Sequence, residues 1–246
     1  MVFDIAKFNF GLFYHFSSMT AVLFSYFRSS SAYRVRIALN LKKVPYEIRP
    51  VNLRTGEQNS SEFKAISPLG TVPVLQIDGH TFSQSLAIID YLDATRKNPK
   101  MCCNDPVKRS RILACSLVMA ADTQPLHNLY TLQTLQETAS SLGAMDTQKV
   151  SDEWAAKFIR RGLAVVENKI GKYSTDGEFC IGKAVSLADA CLAPQIYVAK
   201  RFGIATGEFP RCDRVYKHLM NLEEFIKAHP HNQPDCLSEL KGDLSM

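Results

Sequence analysis

The sequence predicts a fold of two parts, in which an α/β unit with a small mixed sheet precedes an all-helical unit. An apolar, strand-like run at 22–27 passes through three serines into a helical pattern. Asp78-Gly79 separates two short β-rich runs at the spacing of a tight hairpin. Beyond residue 106 the strand pattern stops, and apolar residues recur at spacings of three and four positions.

The elements of the first unit follow in the order β-α-β, a short helical stretch, then β-β-α. VLFSYF at 22–27 is typical of a buried strand, and apolar residues at helical spacing predict a helix over 32–42. YEIRPVN at 46–52 predicts a second strand, and Pro50 favours the sheet edge because proline donates no ladder hydrogen bond. The remaining predicted elements are strands at 72–77 and 80–83 and a helix at 84–95.

The second unit follows a predicted linker at 97–106, KNPKMCCNDP, which contains two prolines and no periodicity. Ser186 and Asp189 have the spacing of a capping box, which we interpret as structural. We therefore expect domains at 19–98 and 106–236. Helices are predicted at 107–135, 148–171, 187–201 and 213–228.

Composition limits the classes of partner. The net charge of +5 comes from scattered lysines and arginines, whereas nucleic-acid binding needs them clustered. The seven cysteines are odd in number and include no C-x-x-C, which indicates small buried side chains in a reducing, cytoplasmic compartment. The six histidines show no metal-ligand spacing. Residues 1–18 are too interrupted by polar residues to span a membrane and are expected to be a disordered or loosely docked extension before Met19.

The first candidate for chemistry is the triple serine Ser29-Ser30-Ser31 at the junction of strand and helix. A serine here is well suited to capping the helix. Alternatively, the unpaired amides of a helix start attract anions, and a serine hydroxyl beside them lowers the pKa of a bound thiol. The residues alone favour the cap.

Two further motifs lie where strands meet the next elements. Val72-Pro73 precedes the third strand; a cis bond would turn the Val72 backbone toward an extended ligand, whereas a trans edge proline is commoner. Gln84 and Ser85 stand at a second helix start, where they are able to bind a carboxylate or simply cap the helix.

Together these motifs resemble the glutathione transferase superfamily, and in particular its zeta class. SSSAYRVRIAL at 29–39 is similar to the class signature, and so are SQSLAIIDYL at 83–92, QPLHNLYTL at 124–132 and HPHNQPD at 229–235. The resemblance implies the glutathione transferase fold, with a thioredoxin-like domain that binds glutathione followed by an all-α substrate domain. It also implies a homodimer.

The resemblance assigns roles to individual residues. Ser29 is expected to hold the glutathione thiolate, with Ser30 as the second catalytic residue. Arg201 is expected to meet a substrate carboxylate. The further residues expected to contact glutathione are Ser31, Ala32, Tyr33, Arg34, Gln58, Val72, Gln84, Ser85, Gln124, Asn128, Leu129 and Tyr130.

The activity implied is the glutathione-dependent isomerisation of maleylacetoacetate to fumarylacetoacetate in tyrosine and phenylalanine catabolism, with glutathione transferase activity beside it. The chain departs from many animal members by carrying Ser31 and Tyr33 in place of cysteine and tryptophan. The missing thiol argues against chemistry that needs a protein cysteine. The alternatives are a general transferase acting on haloacids or other electrophiles, and a glutathione-fold binding protein without turnover.

Overall fold

The computed structural model describes residues 20–244, so the extension expected at 1–18 lies outside the described residues. Within this range four strands form one mixed sheet in the order β2-β1-β3-β4. β2 lies parallel to β1 at an edge of the sheet, as Pro50 predicts, while β3 and β4 are antiparallel to their neighbours. The strands are β1 (Ala21–Ser25), β2 (Tyr46–Pro50), β3 (Val74–Ile77) and β4 (His80–Ser83).

The strand register brings the ends of three strands together at one end of the sheet. Phe24, near the end of β1, pairs with Val74 at the start of β3, and Val74 pairs with Ser83 at the end of β4. The residues that follow β1, precede β3 and follow β4 therefore lie close to one another. Asp78 and Gly79 form the predicted hairpin turn, both with positive φ (53° and 77°).

The helices agree with the predicted pattern except at two breaks. The predicted helix over 107–135 is two helices, separated by a 3-10 turn at Gln124–His127 that contains Pro125. The predicted helix over 213–228 is also divided in two. In the described residues the helices are α1 (Ser30–Leu41), α2 (Ser61–Ile66), α3 (Ser85–Thr95), α4 (Pro106–Ala120), α5 (Leu129–Ser141), α6 (Thr147–Tyr173), α7 (Leu187–Arg201), α8 (Pro210–Leu219) and α9 (Glu223–Ala228). None of the helices within 20–244 has both the length and the apolar character needed to cross a membrane.

The central helix α7 matches the predicted range 187–201 and is buried from Leu187 to Val198. Its capping box is formed: Asp189 accepts hydrogen bonds from the backbone N–H (2.8 Å) and the hydroxyl (2.8 Å) of Ser186. Asp189 also accepts the N–H of Cys180 at 2.7 Å, so this carboxylate joins α7 to the preceding loop. Burial raises the pKa of Asp189, although these hydrogen bonds oppose that effect.

The segment predicted as a linker is held by buried charges. The Lys42 ammonium contacts Asp93 (2.7 Å) and donates to the carbonyls of Arg96 and Pro99. Asp93 also accepts the backbone N–H of Met101 at 2.8 Å. These bonds fix the connection between the sheet and the helical half. Breaking the ion pair would cost free energy, because it would leave a buried charge uncompensated.

Replacing Asp189 with alanine leaves three buried donors without an acceptor. We expect Asp189→Ala to lower the free energy of unfolding by about 3 kcal/mol, measured by urea denaturation. Asp122→Ala, at an exposed position just after α4, is the control and should leave the midpoint unchanged. Equal midpoints for the two variants would contradict the role of the capping box.

Candidate functional site

Ser29 lies at the carboxyl end of β1 and is the N-cap of α1. Its Oγ accepts the backbone N–H of Ala32 at 3.2 Å, and its own N–H donates to the Tyr26 carbonyl at 2.9 Å. The cap predicted from the sequence is therefore present. A hydroxyl that accepts one hydrogen bond keeps its own proton for donation, so the cap and the binding of an anion are compatible. Ser30 and Ser31 follow in the first turn, partly exposed.

A buried arginine connects this helix start to the next one. Arg34 donates from Nη1 to Ser85 Oγ at 3.1 Å and, over a longer 3.5 Å contact, to Ser31 Oγ. Burial lowers the pKa of Arg34. The serines of α1 and α3 are thereby held to one side chain, which fixes the two helix N-termini relative to each other.

Ala32 and Tyr33, which the resemblance assigns to the cofactor, have fully buried side chains. Tyr33 packs in the core against His229, with ring centroids 6.0 Å apart, and beneath the Arg36 guanidinium. Neither side chain is accessible in the structure, so the contacts predicted for these two residues stay predictions and would run through their main chain.

Val72 lies just before β3 and Gln84 just after β4, at the same end of the sheet as Ser29. The Val72–Pro73 peptide bond is cis, which is the rarer form of a bond that precedes proline. Gln84 has a φ of 67° and a ψ of 113°, and its exposed side chain makes no capping hydrogen bond to α3. A non-glycine residue in this region is strained by about 1–3 kcal/mol, and such strain concentrates at ligand sites.

Gln58 lies in the 3-10 turn Glu57–Asn59 that follows β2. Its amide nitrogen donates to the Leu53 carbonyl at 3.4 Å, while its buried Oε1 has no hydrogen-bond partner among the described residues. Gly70 packs directly against it, since a Cβ there would lie 2.8 Å from the Gln58 carbonyl oxygen. An unpaired buried acceptor at this position is suited to a donor group of a ligand.

The residues expected from the helical half lie at the break between α4 and α5. Asn128 is the N-cap of α5 and accepts the N–H of Thr131 at 2.8 Å, so one role of this residue is structural. Gln124 is half-buried, whereas Leu129 and Tyr130 are 41% and 77% exposed. Their approach to a ligand at Ser29 stays a prediction.

His127 shows that this turn lies near the arginines of the site. Burial is the main cause that lowers the pKa of His127 to about 4, and the charges of Arg34 and Arg201 act in the same direction. The neutral imidazole contacts the Gln195 side chain of α7 at 3.3 Å. The turn at 124–127 is therefore fixed against α7, close to Arg34.

Two arginines, Arg28 and Arg201, lie near the same two tyrosines, Tyr26 and Tyr197. Burial raises the pKa of both Tyr26 and Tyr197, and the charges of Arg28 and Arg201 oppose that rise in each case. Among residues 20–244 no carboxylate lies within 4.0 Å of either guanidinium. The Nε of Arg28 is buried without a partner among the same residues. No described carboxylate therefore pairs with either guanidinium, while Arg28 also interacts with the Tyr197 hydroxyl.

Arg201 was predicted from the sequence, but Arg28 was not. Its only sequence signal is its place directly before the triple serine. A cavity of about 590 Å³ opens at the carboxyl ends of β1 and β2; it is lined by the two residues before Arg28 and not by Arg28 itself. Its lining includes Tyr26, Phe27, Arg54, Glu57, Asp235 and Leu237. In the described residues no cluster of three or more His, Cys, Asp or Glu side chains is able to hold a metal ion.

The chain is similar to known proteins over most of its length. The family model for the glutathione S-transferase N-terminal domain matches residues 28–95. Maleylacetoacetate isomerase of Rattus norvegicus is 42% identical over 222 residues, covering 89% of this chain and 97% of the relative. The probable maleylacetoacetate isomerase of Vibrio cholerae is 41% identical over 221 residues, covering 89% and 99%.

Solved structures agree with this similarity. A bacterial maleylpyruvate isomerase described as a zeta-class glutathione S-transferase superposes with a TM-score of 0.83 at 31% identity, covering 88% of this chain and all of the other. Maleylacetoacetate isomerase of Methylobacterium extorquens AM1, determined with bound malonate and GSH, gives 0.82 at 34% identity with the same coverage. The resemblance found in the sequence is confirmed: the chain belongs to the maleylacetoacetate isomerase family, in the zeta class of the glutathione transferases.

Proposed function

We propose that this protein catalyses the glutathione-dependent cis–trans isomerisation of maleylacetoacetate to fumarylacetoacetate, with glutathione transferase activity beside it. The observation that supports this most is that Ser29, Val72 and Gln84 meet at one end of the sheet. They lie beside a pair of arginines that have no carboxylate partner among residues 20–244. Relatives at about 40% identity carry the isomerase name. Tyrosine and phenylalanine catabolism in the cytoplasm would be the setting.

The residues at the site fit the tripeptide glutathione. The starts of α1 and α3 each offer unpaired amides to an anionic group, and Ser29 and Ser85 bring hydroxyls to the same places. The unpaired Gln58 Oε1 offers an acceptor for an ammonium or amide. We propose that Val72 meets the backbone of the cysteinyl unit and that Gln84 and Ser85 bind the γ-glutamyl end.

Bound glutathione supplies a thiolate that adds to the activated double bond, allows rotation about the resulting single bond, and leaves again. Ser29 donates its hydroxyl hydrogen bond to the sulfur. The positive end of α1 acts in the same direction, so both favour the ionised thiol. Ser30, one position further along, adds its own backbone N–H to this end of the helix. Glutathione supplies the sulfur and is regenerated when the sulfur leaves at the end of the reaction. The protein therefore needs no cysteine of its own, and Ser31 is compatible with turnover.

Arg28 and Arg201 hold the carboxylates of the substrate. Maleylacetoacetate carries a carboxylate at each end, and guanidinium groups bind carboxylates through paired hydrogen bonds. The adjoining cavity of about 590 Å³ is large enough for a small diketo acid. A pair of fixed cations selects for a dianion over an uncharged electrophile.

The domain assignment is part of this proposal. Residues from 19 to 98 would bind glutathione, and residues 106–236 would contribute the substrate side through Gln124, the 128–130 segment and Arg201. We also propose a homodimer, as expected for the class. The alternative activity, conjugation of haloacids, uses the same thiolate without its return. A binding protein without turnover is disfavoured because the Ser29 hydroxyl is present.

Removing the Ser29 hydroxyl should impair chemistry more than binding. We expect Ser29→Ala to lower kcat about 100-fold while the Kd for glutathione changes little, measured by isomerase kinetics and calorimetry. Ser60→Ala is the matched control, because Ser60 caps α2 by accepting the Phe63 N–H at the same 3.2 Å. If both variants isomerise at the parental rate, Ser29 has only a capping role.

Removing Arg28 or Arg201 should impair the reaction of charged substrates alone. We expect Arg28→Ala and Arg201→Ala each to raise KM for maleylacetoacetate by about tenfold or more, because one charged hydrogen-bonded pair is lost. Conjugation of an uncharged halonitrobenzene should stay within about twofold of the parent, given that no carboxylate is bound. Arg109→Ala, an exposed helix position, serves as the control. An equal loss with both substrates would show that these arginines maintain the site instead of binding carboxylates.

A further inference from the structure

The turn that carries Arg28 and Ser29 is held by a residue from the far end of the chain. The backbone N–H of Phe27 donates to Asp235 Oδ2 at 2.8 Å, across 208 positions of sequence. The backbone carbonyl of Phe27 accepts from Arg36 Nη2 at 3.1 Å. Both main-chain groups of the residue two positions before Ser29 are therefore fixed by charged side chains.

Arg36 makes this arrangement rigid on one side. It is fully buried, and it also donates to the carbonyl of Ala228 at 2.9 Å and to Ser25 Oγ at 3.0 Å. Burial lowers the pKa of Arg36 to about 10, so the guanidinium remains charged at neutral pH. One side chain thus joins the end of β1, the turn after it and the end of α9.

The segment that presents Asp235 is itself well anchored. Gln233 is buried and donates to the carbonyls of Lys227 at 2.9 Å and His229 at 2.8 Å. Further along, Gly242 donates its N–H to the carbonyl of His231 at 3.2 Å. A side chain held by a fixed segment is able to hold the turn in place, which a mobile tail is not.

The Asp235 carboxylate also lies close to the substrate-binding residues. It lines the cavity beside Tyr26, and its charge and that of Arg28 act on the same two side chains, Tyr26 and Cys236. Its second oxygen, Oδ1, is buried without a hydrogen-bond partner among residues 20–244. The contact with Phe27 is therefore the one hydrogen bond described for this carboxylate.

We infer that Asp235 is a positioning residue for the reaction: by accepting the Phe27 N–H, it sets where Arg28 and Ser29 stand. This inference rests on the proposed function, since it concerns the same site. The Ser29 hydroxyl must lie within hydrogen-bond reach of the sulfur, and a displacement of about 1 Å is enough to slow chemistry severely. The proposed glutathione contacts at α3 and Gln58 lie outside this turn, so we expect the affinity for glutathione to change less than the rate.

The test compares Asp235→Ala with Asp235→Asn, whose amide oxygen is still able to accept the Phe27 N–H. For Asp235→Ala we expect kcat to fall about tenfold or more while KM for glutathione stays within about twofold. We expect Asp235→Asn to recover most of kcat. Asp105→Ala is the matched control: Asp105 also accepts a backbone N–H, that of Lys108 at 2.6 Å, but at the start of α4.

Two results would overturn the inference. A parental kcat in Asp235→Ala, whatever its Tm, would show that the bond serves stability alone. A loss in Asp235→Asn equal to that in Asp235→Ala would show that the charge matters and the accepted hydrogen bond does not. Rates are measured both for isomerisation and for conjugation of an uncharged electrophile. If the parent protein conjugates but does not isomerise, the proposed substrate is wrong, while the comparison of the Asp235 variants can still be made.

Discussion

The site depends on the register of the central sheet. Because β3 runs antiparallel to both β1 and β4, the end of β1, the start of β3 and the end of β4 share one end of the sheet. Two helices begin at that end, and each helix start has amides that the helix itself leaves unpaired. The fold thus produces a place for an extended, doubly anionic ligand before any particular side chain is considered.

Buried cations then fix this arrangement. Arg34 joins the serines of the two helix starts, Arg36 joins β1 to the end of α9, and Lys42 with Asp93 fixes the passage into the helical half. Arg36 and Lys42 have their buried charges satisfied by long-range hydrogen bonds, whereas the Nε of Arg34 has no partner among the described residues. The same chain leaves Arg28 and Arg201 without carboxylate partners among the described residues. The arginines that stabilise the fold are thus different from the two that we propose bind the substrate.

Sequence reasoning predicts what local patterns determine. The hairpin at Asp78-Gly79, the edge strand with Pro50 and the range of α7 are all found as predicted, because turn chemistry and periodicity are encoded in neighbouring residues. The helix expected over 107–135 is wrong as one element, since apolar spacing continues across a break that contains Pro125. The resemblance also assigns Ala32 and Tyr33 to the ligand, but the sequence does not reveal that both side chains are buried.

Contacts between distant parts of the chain could not be predicted. No local pattern links Phe27 to Asp235 or Lys42 to Asp93. The buried, unpaired Nε of Arg28 is likewise a consequence of the fold and not of the neighbouring sequence. The proposed mechanism requires that Ser29 and the start of α1 keep the sulfur of bound glutathione ionised. An ultraviolet titration of thiolate absorbance in the complex measures this most directly. We expect the pKa of the bound glutathione thiol to lie below neutrality. A sulfur still protonated above about pH 8, near the ordinary thiol value, would contradict this role of Ser29 and α1.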